Sequence, residues 1–514
     1  MGVLDFIKNR DESRLNTELF NPNHTTASDP ESNGETAEKR SVDETKEKFD
    51  QTNTETEHES IDSDAGLGTK KMEALAMVWT KKHLYMVYAW IWICFFFLAF
   101  HSGVGGNVLY NAYANFSAAP EINTASMIAS IVGGVLKLPI AKLVTIWGRA
   151  EGLVIFTIIY LIGMIVTASC TGPDGYAAGY CLYWIGYYGI YIILDVFIAD
   201  TSGLKNRAFA FAYSTSVFII TAFTGSLCAT AFINGPGWRW AYYAFFIIQP
   251  FIFFPLAITF KLFERKAYKQ GLLKKTESGR TKIQSFIYYV KEFDIVGCLI
   301  LMAAFILFLL PFSLVSNARI SGYKTAGFIV MLVIGILLFP VFYIWERYFA
   351  TTHFIKWHLF QQPTVLGACI CSLLVNFSFE CWDLYFYNFV IVVYNLSTTN
   401  AGYMLNIYNV GSCFWGLIFG AWVRFAHTWK WTCFGFGLPL MTLGAGLQVY
   451  FRGQHSNIGY IIMTQIFIAF GGGTIVLGNQ MSVMAAGSLD DVPMMISLIG
   501  LFQIKHQLFL LVVT

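Results

Sequence analysis

Between residues 85 and 484 this chain runs again and again for about 20 residues with almost no charge. A stretch of that length and polarity matches the hydrocarbon core of a bilayer. In that solvent an unpaired backbone N–H or C=O is costly, so a crossing segment must satisfy its own hydrogen bonds, and runs this long and continuously apolar do so as α-helices. They fall at about 85–106, 123–143, 152–170, 178–199, 208–233, 240–260, 295–315, 325–345, 363–384, 400–423, 431–451 and 459–484. A thirteenth apolar run begins at Val492 and is interrupted by Lys505 and His506. Only 13% of the residues are charged, about half the share of a soluble domain. The chain therefore reads as an all-α polytopic membrane protein.

Charge divides the remainder. Residues 1–70 hold 17 acidic and 8 basic residues, a net of −9, with little aromatic content. Such a segment cannot bury enough apolar surface to offset its ordering entropy, so it is expected to be a disordered acidic cytosolic tail. This acidic, polar start does not resemble a cleavable signal peptide, and the first span is expected to serve as the insertion signal. Residues 261–293 carry nine Lys or Arg against three Glu. Basic loops stay on the cytosolic side. A cytosolic start, six spans over 85–260, a basic cytosolic loop at 261–293, two linker spans over 295–345 and a second half over 363–514 form a consistent topology. Arg149, Lys205, Arg207, Arg347, Lys356, Arg424 and Lys430 then lie inside, while Arg319, Lys324 and Arg452 lie outside.

The fourth span is unlike a lipid-facing anchor. On a helix, Tyr180, Trp184, Tyr187, Tyr191 and Asp195 form one stripe at spacings of 4, 3, 4 and 4. A carboxylate in a span costs at least ~2.5 kcal/mol and faces a protein interior or a water-filled cavity. The stripe is therefore expected to wall a transport pathway, the plainer reading being a bundle-interior helix. Lys137, in the second span, lies at a similar depth to Asp195 and is its candidate partner. The plainer reading is a lysine that snorkels to the interface. His101 near the outer end of the first span is a candidate proton switch, or else a hydrogen-bonded packing residue. Glu380 and Asp383 stand three apart in the ninth span beside Trp382 and Tyr385, marking either the interface or a place for a bulky, partly polar ligand. No GxxxxGK[ST], HExxH or defensible Ser/His/Asp set occurs, so an internal ATPase and an intramembrane enzyme are unsupported. Gly471–Gly473 inside an apolar run reads as close helix packing. Cys170 and Cys181 flank one short loop and would pair only if that loop is outside. No metal site, cofactor or nucleic-acid partner is expected.

At the second-to-third span junction the chain reads AKLVTIWGRAEG. This resembles the loop signature of the major facilitator superfamily, G-x-L-x-D-R-x-G-R-R. Leu143, Gly148 and Arg149 match, while Ala141, Thr145 and Ile146 stand where the family has Gly, Asp and Arg. The stretches YAAGYCLYWIGYYGIYIILDVFIADTSGLKNRAFAFA, GWRWAYYAFF, WDLYFYNFVIVVYNLS, AGYMLNIYNVGS and NIGYIIMTQIFIAFGGGT resemble the fungal siderophore–iron transporter branch of that superfamily. The resemblance covers roughly residues 70–501. It implies a 14-span major facilitator fold and proton-coupled import of ferric siderophore, hydroxamate chelates being bulky and often neutral, across the plasma membrane or an endosomal or vesicular membrane. The iron arrives already chelated, so no protein ligands to it are implied. With the loop Asp and Arg missing, Arg149 and Asp200 at the inner end of the fourth span would supply part of the inner charge lock. Oligomeric state is left open.

After PMMISLIGL the resemblance implies a small-residue run, the rest of a thirteenth span and a fourteenth. The chain instead continues Phe502-Gln503-Ile504-Lys505-His506 and ends at Thr514. The expectation is a C-terminally truncated fold of about 12 complete spans plus a partial thirteenth, from a frame or splicing change near residue 502. Two other functions remain open at this point. One is a 14-span drug or thiol efflux antiporter, although TAFTGSLCATAF in the fifth span lacks the Pro of the exporters' G-P-x-x-G-G. The other is a siderophore sensor that does not transport.

Overall fold

The computed structural model describes residues 67–502 apart from 117–121, 272–280, 317–321, 351–358, 360, 454–456 and 488–490. The acidic segment before residue 67 and the chain after Phe502, on which the tail and truncation expectations rest, lie outside the described residues. No strand occurs among the described residues.

The first described element, α1 (Leu67–Val78), precedes the spans and already begins within the expected tail. The first six spans form as α2 (Lys81–Asn115), α3 (Ile122–Trp147), α4 (Arg149–Ser169), α5 (Pro173–Thr201), the pair α6 (Leu204–Thr215) and α7 (Val217–Asn234), and α8 (Trp238–Lys269). The fifth is split where the sequence implies one helix. Ser214, Thr215 and Ser216 in a row bond their hydroxyls back to Phe211, Ala212 and Tyr213 carbonyls, and such back-bonding bends a helix. The basic segment is likewise not all loop. The helix α8 runs on to Lys269, and Lys282–Glu292 forms α9, with residues 272–280 between them outside the description.

Two linker helices follow, α10 (Ile295–Ser316) and α11 (Ala326–Ile344). They touch through Gly335, where an added Cβ would lie 2.6 Å from the Phe308 nitrogen. Of the two, α10 packs its apolar residues, Phe305 and Leu309 among them, on Ile131 and Val135 of α3. The second half contributes α12 (Pro363–Tyr394), α13 (Thr398–Ala426), α14 (Leu438–Phe451, entered through turns from Lys430), α15 (Ile458–Met484) and α16 (Val492–Phe502). Among the described residues eleven helices, α6 and α7 counting as one, are long and apolar enough to cross a membrane. The helix α13 spans its expected place over 29 residues but stands outside those eleven, because Asn400, Asn406, Asn409 and other polar residues dilute its apolar content.

The fourth helix of each half, α5 and α15, is the most enclosed, with 67% of its apolar window buried. Glycines make that possible. A Cβ at Gly186 of α5 would lie 2.5 Å from the Tyr160 backbone of α4, and one at Gly179 2.6 Å from Thr167. In α15, Gly471 faces the Met441 nitrogen at 2.6 Å and Gly473 the Ser412 carbonyl at 2.9 Å. The three-glycine run is thus a packing device, since helices in lipid associate by close van der Waals approach rather than by hydrophobic exclusion.

Candidate functional site

The two halves meet around a cavity of about 510 Å³. Its wall comes from α3, α5, α6 and α7 of the first half and from α13, α15 and α16 of the second. The sequence of α5 explains why it dominates. At 100° per residue, Trp184, Tyr187, Tyr188, Tyr191 and Asp195 share one face, while Gly179, Gly186 and Gly189 share the opposite one. The glycine face seats α5 on α4 and so presents the aromatic face to the cavity. Phe218 and Tyr408 add two more rings, and Ser130, Ser412 and Gln480 add polar groups.

Among the described lining residues, Asp195 and Lys137 are the charged pair. Asp195 is 5% exposed and makes no hydrogen bond or salt bridge among the described residues. Lys137 does not pair with it in this conformation, contrary to the matched-depth expectation. Its ammonium donates to the Gly500 carbonyl of α16 at 3.1 Å and stands 4.9 Å over the Tyr188 ring.

The other sequence candidates divide. Trp184, Tyr187 and Tyr191 line the cavity. Tyr180 shares their face but lies beyond the cavity, buried and stacked between Tyr176 and Tyr183. Tyr385 is 65% exposed on the outside of the bundle and cannot reach it. Trp382 also stands behind the wall, its ring 5.8 Å from that of Tyr408, which lines the cavity. Glu380 is buried and Asp383 half-buried on α12, and neither is a lining residue. His101 is fully buried inside the first half. Its ring stacks on Phe245 at 4.4 Å and Nδ1 shares a hydrogen bond with the Tyr160 hydroxyl at 2.8 Å.

Arg149 and Asp200 do pair. Both Nε and Nη2 reach Asp200 Oδ2 at 2.9 Å. Beside them lies a network the sequence reading missed. Lys71 of α1 bridges Glu151 at 2.9 Å and Glu264 at 3.2 Å, while Lys261 contacts the same two carboxylates. Glu151 was visible two residues beyond Arg149, but nothing local names a partner 80 positions away. Tyr188 and Tyr408 were also missed, although YWIGYY and NIYNVG displayed them. Cys170 and Cys181 are both free thiols.

Because Tyr188 contacts both the cavity and the lysine ammonium, Tyr188→Ala removes wall and cation–π support together. Trp184→Ala removes wall alone. Aromatic packing is worth ~0.5–1.5 kcal/mol beyond area, so each change is expected to raise the half-saturating ligand concentration by roughly 2- to 13-fold. Equilibrium binding to the purified variants measures this, and unchanged affinity in both would make the rings ordinary packing.

Two groups of membrane helices joined around a mid-bundle cavity, with glycine-seated fourth helices, define a secondary transporter of the major facilitator type. The Major Facilitator Superfamily model matches residues 91–345. The fold is similar to that of the human organic anion transporter MFSD10 (TETRAN), with TM-score 0.55, 10% identity and coverage of 83% of this chain and 92% of that one. The chain is 58% identical over 442 residues to Siderochrome iron transporter 2 of Aspergillus fumigatus, covering 86% of this chain and 73% of that protein. It is 42% identical over 444 residues to MFS siderochrome iron transporter 1 of Ajellomyces capsulatus, covering 86% and 75%. The chain belongs to the fungal siderophore (siderochrome) iron transporter family of the major facilitator superfamily, a family of transporters and not of enzymes.

Proposed function

We propose that this protein imports ferric siderophore of the hydroxamate type, driven by proton entry, across a fungal plasma membrane or an endosomal or vesicular membrane. The relatives' names supply the iron chelate. The observation that carries the rest is the cavity, in which six aromatic rings surround a buried carboxylate without a hydrogen-bond or salt-bridge partner among the described residues. A chelate encloses its iron in organic ligand, so an aromatic wall with few charges suits it better than a set of metal ligands. The cavity volume falls within the ~300–1,000 Å³ of organic-ligand sites. An ionised, unpartnered carboxylate is costly at this depth. Proton binding relieves that cost, which makes Asp195 the coupling residue. In the proposed orientation the amino terminus and the 261–293 segment face the cytosol, in keeping with Lys70, Lys71, Lys81 and Lys82 before the first span and with the nine Lys or Arg of that segment. The Arg149–Asp200 pair and the Lys71 network then brace the cytosolic end.

The test is iron-starved, uptake-deficient yeast expressing this chain and supplied with one ferric chelate at a time. Growth on a hydroxamate chelate, lost on adding a protonophore, is the expected result. Growth on no chelate, or uptake indifferent to the protonophore, would overturn the reading. A tag at residue 20 is expected to survive protease added outside the same sealed cells.

A further inference from the structure

Lys137 and Asp195 face one cavity from α3 and α5, the two charged residues among its described lining residues. The ammonium nonetheless rests on the Gly500 carbonyl. Since α3 belongs to the first half and α16 to the second, this hydrogen bond crosses the seam between them. Position 500 is built for it. A Cβ there would stand 2.8 Å from Lys137 Cδ and 2.9 Å from Nζ, so a larger residue displaces the ammonium.

We propose that Lys137 is a transfer switch, held by the Gly500 carbonyl while Asp195 is protonated and drawn to the Asp195 carboxylate once the proton leaves. The transfer removes this hydrogen bond between α16 and α3 and so links the proton to the movement of the two halves. This rests on the proton-coupled reading above. The bond from the ammonium to the Gly500 carbonyl is already charge-assisted, but an ionised Asp195 adds the Coulomb attraction of a full opposite charge, which low dielectric strengthens. An ionised Asp195 therefore outbids a peptide carbonyl, and a neutral one does not. The lysine stem is long and flexible enough to pivot. The proton leaves the carboxyl group for water on the cytosolic side, and no other bond is broken. The other titratable groups facing this exchange are Tyr187, Tyr188 and Tyr191 of α5 and Tyr408 and Cys413 of α13, while α15 and α16 present none among the described lining residues. Seen this way, Gly500 is a positioning residue, acting through the lysine it accepts from.

The full chain in proteoliposomes under an inward proton gradient, given a radiolabelled ferric trihydroxamate, tests this. Gly500→Ala, assayed at saturating chelate, is expected to lose roughly 5- to 150-fold of its accumulation ratio, the span of an ordinary coupling free energy. Lys137→Gln retains a donor for the carbonyl but has no charge to offer Asp195, and at saturating chelate is expected to lose accumulation. Adding Gly500→Ala to Asp195→Asn is expected to cost nothing further, because both act on one exchange. Wild-type accumulation in Gly500→Ala or in Lys137→Gln, or additive losses in the double variant, overturns the switch. Should Gly500→Ala not fold, Lys137→Gln decides alone. A wild-type protein that gathers no chelate under the gradient overturns the transport reading instead.

Discussion

Asp195→Asn is expected to cut concentrative uptake by about tenfold or more while leaving chelate binding within a few-fold of wild type. The amide has nearly the shape of the carboxylate but cannot exchange a proton, so the cavity keeps its form and loses its coupling. Asp195 sits in the wall beside Tyr191, buried and without a hydrogen-bond or salt-bridge partner among the described residues. The substitution therefore breaks no structural bond and relieves the burden of an intramembrane charge. Folding is expected to hold or improve. Wild-type uptake is expected to rise as the outside is acidified, and in Asp195→Asn that dependence should flatten. The drop in accumulation ratio is expected to be on the order of tenfold or more, a coupling of ~1–3 kcal/mol. Paired measurements of binding and gradient-driven uptake on one preparation check it. Normal proton-driven accumulation in the variant would remove Asp195 from the coupling machinery.

Gly186→Leu is expected to have the largest effect on folding. Its Cβ alone would lie 2.5 Å from the Tyr160 backbone, and backbone cannot swing aside as a flexible side chain does. Overpacking a well-filled site costs ~1–3 kcal/mol and sometimes more, and here α5 must part from α4. The separation also shifts Tyr160, which holds His101, and turns the aromatic face away from the cavity. Most of the variant is expected to be lost from the monodisperse fraction after solubilisation, with a lower Tm for what remains. Gly106→Ala is the control, since nothing lies within 4 Å of its added Cβ. A Gly186→Leu protein as stable as Gly106→Ala would show that α4 and α5 are not in close register.

Much of the site was readable on α5 because helical periodicity is local. A spacing of 4, 3, 4 and 4 places Trp184, Tyr187, Tyr191 and Asp195 on one face whatever surrounds them. The same rule did not place Tyr180, which has the right angle but the wrong depth, and the cluster of aromatic neighbours that suggested Tyr385 does not show that it turns outward. Depth relative to a cavity depends on how two halves close, and no spacing within one helix records that. For His101 the residue type raised a proton role, and the structure places it in an aromatic enclosure of the first half.

The sequence by itself determined the solvent of this protein, its all-helical class, the places of its spans, the aromatic face of α5 and the family, because each depends on composition or on residues within a few turns of one another. The partners of the charged side chains were decided only by the tertiary structure. Matched depth made Lys137 a candidate for Asp195, but the folded chain brings the Gly500 carbonyl, 363 positions away, to within 3.1 Å of its ammonium. Lys71 likewise meets Glu151 and Glu264 only because α1 docks across the ends of α4 and α8. A charge in a low-dielectric interior takes whichever partner the packing delivers, and packing across the seam is set by the shapes of two halves together rather than by either one.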